Sequence, residues 1–403
     1  MLRQVSAPHP PPDSMRILNV IHSVNPESGG PSEGLRQMCQ ATHRLGHLQE
    51  ALTLDAPGEP WVKAFPGSVH AVGPRLSNYG YTAELRPWLR ASLHNYDAII
   101  VHGLWQYQGL ATWYALRNQK VPYFVYPHGM LDPWFKQRYP LKHFKKQLYW
   151  RWVEEKVLRD AAAVLFTTDE EARLAADTFT PYRARALNMG YGLALDSTAL
   201  AATAEDFYAA HADLRGKRLV LFLGRVHPKK GCDLLIEAFA GAAKDHLSLH
   251  LVMAGPDLTG MRPELDRLAE RLGVANRITW TGMLTGARKW GALRAAEVFA
   301  LPSHQENFGV AVAEALAVGC PVLLSTQVNI WKEIVADGAG FAEPDTLAGT
   351  VAALSRWLAL PEPARIDMQQ AAKRCYQSHF HVAAAAQRLL DLVAQHRKSR
   401  TAA

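Results

Sequence analysis

The chain has 403 residues, of which 48% are hydrophobic and 20% charged, a composition typical of a globular protein with room for two ordinary domains. Its formal net charge of +7 favours anionic ligands such as nucleoside diphosphates or acidic lipid surfaces. The four cysteines lie far apart and form neither a CxxC pair nor a Cys/His cluster, which argues against a disulfide framework and a zinc site. We therefore expect reduced thiols and a cytoplasmic protein.

The first 14 residues contain several prolines and no apolar stretch of signal-peptide length, and we interpret them as a flexible tail. No later segment approaches roughly 18 uninterrupted apolar residues, the minimum for a membrane-spanning helix. The sequence thus predicts neither export through a signal peptide nor a membrane span.

Strand-like apolar runs alternate with amphipathic stretches along the whole chain, which predicts an α/β fold with parallel sheets. In the first half we expect strands near 16–22, 49–54, 97–102, 122–126, 163–167 and 184–188. Helices are expected near 32–46, 83–94, 108–119, 144–160 and 169–177.

The pattern restarts after an alanine-rich segment, so a domain boundary is expected near 190–215. Second-half strands are predicted near 218–223, 248–253, 277–280, 297–301 and 320–325, and helices near 231–243, 261–272, 286–294, 309–318 and 346–358. We expect two doubly wound, Rossmann-like domains, 15–200 and 214–375. A final helix and basic tail, 376–403, could pack against either domain.

A basic, glycine-bounded loop follows the first strand of the second domain. It reads GRVHPKKG over 224–231 and enters a helix, whose N-terminal amides favour anions. Arg225 and Lys230 would supply two positive charges to a diphosphate. The alternative is a solvated basic turn.

Two carboxylates, Glu306 and Glu314, lie eight residues apart in the segment 303–315. Glu314 falls on a helix of small apolar residues, so we expect it to be partly buried and to need a partner. Ribose and sugar hydroxyls are suitable donors to carboxylates, and the amides of 307–310 at the helix start can meet a donor's hydroxyls and phosphate. Backbone groups or a buried arginine are the alternative partners.

In the first half, Gly29 and Gly30 follow strand one and would allow a ligand close to the backbone. The loop could equally be an ordinary turn with a serine N-cap. Its spacing does not fit GxGxxG, which argues against a nicotinamide or flavin enzyme. His128 and His102 follow neighbouring strands, in positions suited either to polar chemistry or to a structural role.

The segment 134–152 interleaves cations with aromatics. This pattern suits an interfacial helix on an anionic membrane, or an ordinary amphipathic helix with its aromatics facing the core. No D-x-D sequence occurs in the chain, which argues against transferases that chelate a metal through paired aspartates.

Taken in order, GRVHPKKG, LVMAGP at 251–256 and LPSHQENFGVAVAEALAVGCPVLLS at 301–325 resemble the retaining family 4 glycosyltransferases of GT-B fold, the group 1 glycosyltransferases. The resemblance covers nearly the whole chain, and bacterial exopolysaccharide and lipopolysaccharide glycosyltransferases are among the proteins it points to. It implies two Rossmann-like domains facing each other across a cleft, with the acceptor on the first and a nucleotide-sugar donor on the second.

The resemblance also implies roles for individual residues. Arg225 and Lys230 would bind the donor's diphosphate, Glu314 the ribose and Glu306 the transferred sugar. His128 would lie near that sugar, and His102 is expected on the acceptor side. The other expected donor contacts are Gly29, Gly30, Met283, Leu284, Asn307, Phe308, Gly309 and Val310.

We therefore expect a retaining, metal-independent hexosyltransferase that requires no cofactor and binds no nucleic acid. Its donor would be UDP- or GDP-linked, and its acceptor a saccharide, lipid-linked in surface or exopolysaccharide synthesis, with peripheral contact to the membrane's inner face. Two alternatives stay open: a nucleotide-sugar epimerase or hydrolase of the same fold, and a catalytically silent nucleotide-sugar sensor or assembly partner.

Overall fold

The computed structural model describes residues 14–401, without the side chains of Gln137 and 398–401. Apart from residue 14, the predicted tail 1–14 lies outside the described residues. The chain divides into two compact units. Unit 1 contains residues 14–192 and 382–401, and unit 2 contains Leu193–His381.

Unit 1 is built on one sheet of seven parallel strands. In chain order they are β1 (Arg16–Ile21), β2 (Leu48–Thr53), β3 (Val69–Ala71), β4 (Ala98–His102), β5 (Tyr123–Tyr126), β6 (Ala163–Phe166) and β7 (Ala186–Asn188). Their order across the sheet is β3-β2-β1-β4-β5-β6-β7. The sequence pattern missed β3, because its half-buried residues VHA interrupt any apolar run with a histidine.

Alternate residues of each strand point to opposite sides of this sheet, and the side chains on both sides are buried in apolar clusters. Helices therefore cover both faces. They are α1 (Gly30–Arg44), α2 (Pro60–Lys63), α3 (Leu85–Ser92), α4 (Tyr107–Leu116), α5 (Trp134–Arg138), α6 (Pro140–Tyr149), α7 (Glu155–Arg159) and α8 (Asp169–Ala175). A π-helical turn, Trp150–Glu154, joins α6 to α7.

Unit 2 repeats the plan with six parallel strands. They are β8 (Arg218–Leu223), β9 (Leu249–Ala254), β10 (Ile278–Gly282), β11 (Val298–Leu301), β12 (Val322–Ser325) and β13 (Gly340–Glu343). Their order is β10-β9-β8-β11-β12-β13. The predicted doubly wound fold is therefore confirmed in both halves, with β13 as an additional short edge strand.

The helices of unit 2 are α9 (Ser197–Ala201), α10 (Glu205–Tyr208), α11 (Cys232–Ala243), α12 (Arg262–Arg271), α13 (Gly286–Ala295), α14 (Val310–Val318), α15 (Trp331–Ala336), α16 (Leu347–Leu358) and α17 (Glu362–Cys375). Residues 193–200, which the prediction included in the 15–200 domain, belong to unit 2 with the rest of the alanine-rich segment, because α9 and α10 pack on α13. Arg294 Nη2 also donates to the carbonyl of Ala199 at 3.0 Å.

The last helix, α18 (Val382–Thr401), belongs to unit 1. Its Leu389 and Val393 are buried in one core cluster with Ile17 and Phe124 of the sheet. Arg388 Nε donates to the carbonyl of Met189 at 2.9 Å, which ties the helix to the chain after β7. Among residues 14–401, no helix is both long and apolar enough to cross a bilayer.

Candidate active site

The order of the unit 2 sheet changes direction between β8 and β11. Doubly wound sheets bind ligands beyond the carboxyl ends of their strands at such a switch point. The loop after β8 carries Arg225 and Lys230, and the loop after β11 carries Glu306. Two motifs that are about 80 residues apart in sequence therefore meet at one edge of the sheet.

The loop after β8 turns sharply into α11. Residues Pro228–Lys230 form one 3-10 turn, and Gly231 follows with a φ of +63°. A Cβ atom on Gly231 would lie 2.2 Å from the carbonyl oxygen of Pro302, so this close approach of two loops requires glycine. The turn leaves Arg225 exposed and Lys230 largely buried.

Glu306 is fixed through its backbone. Its N–H donates to Gln327 O and its carbonyl accepts from Asn329 N, both at 3.0 Å, in a one-residue parallel bridge to the loop after β12. Gly309 then opens α14 with a φ of +74°. A Cβ atom there would lie 3.2 Å from Glu306 Cγ, so the glycine leaves room for the carboxylate's own stem.

Both carboxylates have lysine partners. Lys230 Nζ contacts Glu306 Oε2, and Lys289 Nζ lies 2.6 Å from Glu314 Oε1. All four side chains are at least three-quarters buried, so each charge needs a counter-charge. The site thus holds two ion pairs at the edge where β8 and β11 end.

Lys230 also lies among other cations. Burial lowers its pKa, and the charges of Lys229 and Arg225 lower it further. Cys232 acts in the opposite direction, and the contact with the Glu306 carboxylate also opposes the loss of the proton, because a nearby anion stabilises an ammonium group. An entering phosphate would supply additional negative charge, so Lys230 is well placed to stabilise a diphosphate.

Sequence reasoning missed Lys289. From the sequence, ligand hydroxyls, backbone groups or a buried arginine were the expected partners of the buried Glu314. In the structure, its partner is a lysine from α13. The available signal was a cation in the helix that follows the loop after β10. Because the pair spans 25 residues, only the packing of α13 beside α14 reveals it.

The remaining donor-side positions lie at the start of α14. Asn307 Oδ1 accepts from Asn329 Nδ2 at 3.4 Å, and the buried Phe308 ring meets Phe380 edge to face, with centroids 5.6 Å apart. Val310 is the first residue of the helix. Packing of the Phe308 ring leaves the backbone as the group that this residue can offer to a ligand, whereas Asn307 and Val310 are half-buried.

The loop after β10 presents two different side chains. Met283 is exposed and Leu284 is buried. Only Met283 can therefore reach a ligand through its side chain, while Leu284 anchors the loop.

In unit 1 the sheet order reverses between β1 and β4. Gly29, with a φ of +97°, and Gly30 lie at the start of α1 in the loop after β1. A cavity of about 160 Å³ opens beside them. Its lining includes Ser28, Pro31, Ser32, His102, Gln106 and His128.

The loop after β1 is held by a buried carboxylate that sequence reasoning also missed. Asp55 accepts hydrogen bonds from Ser23 Oγ at 2.7 Å, Val24 N at 2.9 Å and Thr53 Oγ1 at 2.5 Å. Three donors to one buried carboxylate fix the direction in which the chain leaves β1.

The two predicted histidines lie together in this cavity. His102 Nδ1 and His128 Nε2 are 3.0 Å apart, and the rings are stacked. Burial lowers the pKa of His128 to about 4 and that of His102 well below its usual value, and the His128 charge adds to the latter effect. Both rings are therefore neutral at neutral pH. His128 also has a φ of +52°, a strained conformation that is common at functional sites.

A hydrogen-bond chain fixes the tautomers. Asn19 Nδ2 donates to Gln49 Oε1 at 2.8 Å, which turns Asn19 Oδ1 toward His102 Nε2 at 3.0 Å. Since an amide oxygen only accepts, His102 carries its proton on Nε2 and accepts through Nδ1. His128 then donates through Nε2 and keeps an unprotonated Nδ1.

Two doubly wound units, each built on a parallel sheet, are the fold of the GT-B glycosyltransferases. Residues 205–374 match the family model described as glycosyl transferases group 1, and residues 29–190 match a glycosyl transferase 4-like domain. The chain belongs to the group 1 glycosyltransferases of family 4.

Among curated proteins, the chain is similar to bacterial glycosyltransferases. A D-inositol 3-phosphate glycosyltransferase of Geodermatophilus obscurus is 34% identical over 196 residues, covering 46% of this chain and 42% of that protein. One from Mycolicibacterium gilvum is 32% identical over 210 residues, covering 49% and 45%. The chain thus matches less than half the length of these relatives.

Solved structures show the same fold. Anabaena Alr3699/HepE in complex with UDP and glucose superposes with a TM-score of 0.75 at 19% identity, over 94% of this chain and 100% of that one. WaaG, a glycosyltransferase involved in lipopolysaccharide biosynthesis, gives a TM-score of 0.65 at 16% identity, over 94% and 99%.

Proposed function

We propose that the chain is a retaining, metal-independent glycosyltransferase. It would move a hexosyl group from a UDP- or GDP-linked sugar to a saccharide acceptor, lipid-linked in surface or exopolysaccharide synthesis. Such an acceptor would bring the protein to the inner face of an anionic membrane.

The observation that carries this proposal is the pair of lysine–carboxylate contacts at the unit 2 switch point. When a nucleoside diphosphate leaves, negative charge develops on phosphate and positive charge on the sugar ring. Lys230 and the exposed Arg225 are the cations proposed for the phosphates. Glu306 and Glu314 are the acceptors proposed for sugar and ribose hydroxyls.

Metal independence follows from the same groups. Fixed cations can balance the leaving diphosphate without a divalent ion, and the sequence has no D-x-D to chelate one. The expected result is transfer that persists in EDTA. Loss of transfer in EDTA, with recovery on adding Mg²⁺ or Mn²⁺, would contradict this part of the proposal.

In unit 1 we propose that His128 lies near the transferred sugar and that His102 lies on the acceptor side. The unprotonated Nδ1 of His128 can accept a hydrogen bond from a hydroxyl, and His102 holds that tautomer in place. His128→Ala is expected to lower kcat more than it raises the donor KM, because the nucleotide-binding groups stay intact.

Relatives support the donor and acceptor classes. HepE was crystallised with UDP and with UDP-glucose, and the curated relatives are named for D-inositol 3-phosphate. WaaG is named for lipopolysaccharide biosynthesis. These names favour a nucleotide-sugar donor and a hydroxylated acceptor.

The first test is a thermal-shift panel of UDP, GDP, ADP and their sugar conjugates. A ligand at about 100 times its Kd should add roughly 2.7 kcal/mol of stability. Glu306→Ala is expected to abolish transfer and spare nucleotide affinity, whereas Arg225→Ala should weaken both. Glu264→Ala is the matched control, because it removes an exposed carboxylate of α12 by the same substitution.

Nucleotide release distinguishes the alternatives. A transferase releases nucleoside diphosphate faster when acceptor is present, a hydrolase releases it equally without acceptor, and an epimerase converts the donor without release. Binding with no turnover of any kind would favour the silent sensor. Full turnover by Glu306→Ala would refute the assignment of Glu306.

A further inference from the structure

The segment 133–153 of unit 1 is strongly basic. It contains six lysines and arginines and seven residues of Trp, Tyr or Phe, and it has no aspartate or glutamate. The structure folds it into α5, α6 and the π-helical turn Trp150–Glu154. A face with cations and no carboxylates attracts an anionic surface over its whole length.

Large apolar side chains form an exposed stripe along this segment. Leu141 is 83% exposed, Phe144 63%, Leu148 51% and Trp152 70%. Their spacing of three, four and four residues places them on one side of a helix. Lys145 and Arg151, both exposed, flank the stripe. We call these six residues the basic apolar face.

The opposite side of the helix is anchored in unit 1. The rings of His143 and Trp150 stack on Phe179, with centroids 4.6 and 5.0 Å apart. Lys146 Nζ lies 4.4 Å from the centre of the Trp105 ring. The side chains that face the core are therefore enough to pack this helix on unit 1. The basic apolar face takes no part in that packing, so its exposed side chains need another explanation.

We infer that the basic apolar face docks unit 1 on an anionic lipid bilayer. Interfacial helices place apolar side chains into the boundary between headgroups and acyl chains, while flanking cations meet acidic headgroups. Charge complementarity and a stripe of exposed leucine, phenylalanine and tryptophan fit this partner together. A nucleic acid would use the cations and leave the apolar side chains in water.

This inference deepens the membrane contact of the proposed function by assigning it a surface. Vesicle binding needs neither donor nor acceptor, so it can be measured separately from transfer. A protein that binds nucleotide and ignores vesicles would refute the docking face alone. A protein that binds vesicles and no nucleotide would refute the transferase proposal alone.

The test is co-sedimentation of the full chain with phosphatidylcholine vesicles, with and without phosphatidylglycerol. We expect binding to the anionic vesicles that weakens as NaCl rises from about 0.1 M to about 1 M, because the screening length falls from about 10 Å to about 3 Å. Little binding to pure phosphatidylcholine is expected.

Two double variants separate the apolar and cationic contributions. Phe144→Ser with Trp152→Ser should weaken binding at least roughly ten-fold, since both rings that would enter the bilayer boundary are lost. Lys145→Glu with Arg151→Glu should weaken it at least about 25-fold, at roughly five-fold for each cation removed.

Matched controls carry the same changes elsewhere. Leu247→Ser with Leu258→Ser alters two exposed leucines of unit 2, and Lys63→Glu with Lys120→Glu alters two exposed lysines of unit 1. Binding of the controls within about two-fold of the parent, with unchanged thermal unfolding of all variants, is expected. Equal binding by the parent and both test variants would overturn the inference, as would equal binding to neutral and anionic vesicles.

A dye attached at residue 148 can report directly whether the basic apolar face enters the bilayer. All four cysteines are buried, so Leu148→Cys introduces a thiol that reacts selectively with an environment-sensitive dye. The dye's emission should shift to the blue on anionic vesicles. The same dye at Leu247→Cys should not respond. A silent dye at 148 on vesicles that sediment the protein would show that another surface binds them.

Discussion

Replacing Glu154 by glutamine should reduce the pH dependence of unit 1 stability. Glu154 ends the π-helical turn and is fully buried, and its Oε1 accepts the Trp105 N–H at 2.6 Å. Burial raises its pKa from 4.5 to about 7, although the Trp105 hydrogen bond and the Lys146 charge oppose the rise. The folded state therefore binds a proton that the unfolded chain releases near pH 4.5.

The sign follows from proton linkage. Between about pH 4.5 and 7 the folded state holds more protons than the unfolded chain, so the free energy of unfolding falls as pH rises. A shift of about 2.5 pKa units corresponds to about 3 kcal/mol, of which most is lost between pH 5 and 8. Glutamine cannot ionise, so Glu154→Gln should gain stability relative to the parent by about 2 to 3 kcal/mol over that range.

Urea unfolding at pH 5, 6, 7 and 8, followed by tryptophan fluorescence, measures the difference between the two proteins. Titrating groups that do not interact with Glu154 contribute equally to both proteins and cancel, whereas Lys146 loses the Glu154 charge in the variant and adds a smaller difference of its own. Parallel stability curves for parent and variant would refute the raised pKa. A difference that grows toward acid pH would mean that Glu154 is ionised and paired in the folded state.

Three other substitutions test the way the site is built. Gly231→Ala should destabilise unit 2 by roughly 1–2 kcal/mol from the left-handed backbone alone, and by more from the Cβ contact, as read by its Tm. Lys289→Met removes the lysine partner of the buried Glu314 carboxylate, so a loss of roughly 1–3 kcal/mol in urea unfolding is expected, and an unchanged midpoint would show that the pair contributes nothing. Asn19→Leu removes the acceptor of the His102 Nε2 proton, so the ¹⁵N shifts of that ring should report a changed tautomer population; unchanged shifts would show that the tautomer is fixed elsewhere.

The positions of the unit 2 motifs could be predicted because each follows a continuous apolar strand. β8 and β11 are buried over most of their length, and in a parallel sheet their carboxyl ends share one edge. The loops at 224–231 and 303–309 were therefore expected at a common ligand edge, and the structure places Lys230 against Glu306 there. The edge strands β3 and β13 escaped prediction because neither carries a continuous apolar run: they read VHA and GFAE, and both are mostly half-buried.

The partners of the site residues could not be predicted in the same way. Asn19 and His102 are 83 residues apart, and Asp55 reaches Ser23 across 32 residues. Each contact depends on strand register, which a single sequence does not specify. The short apolar run that carries Asn19 shows a polar residue among buried neighbours, but it does not show which group that residue meets.

The two units stabilise their buried polar groups in different ways, unit 2 by ion pairs and unit 1 by hydrogen bonds between neutral groups. This difference affects which ligand group each unit can bind. Unit 2 places cations beside carboxylates at its switch point, Lys230 with Glu306 and Lys289 with Glu314, and such a site responds to an anionic ligand. Unit 1 keeps its histidines neutral through burial and orders them by a chain of amide and imidazole hydrogen bonds. A charged phosphate suits the first arrangement and a hydroxyl suits the second, because a neutral imidazole accepts a hydrogen bond without requiring a counter-charge. This difference fits the proposed transfer of a sugar from a nucleoside-diphosphate donor to a hydroxylated acceptor.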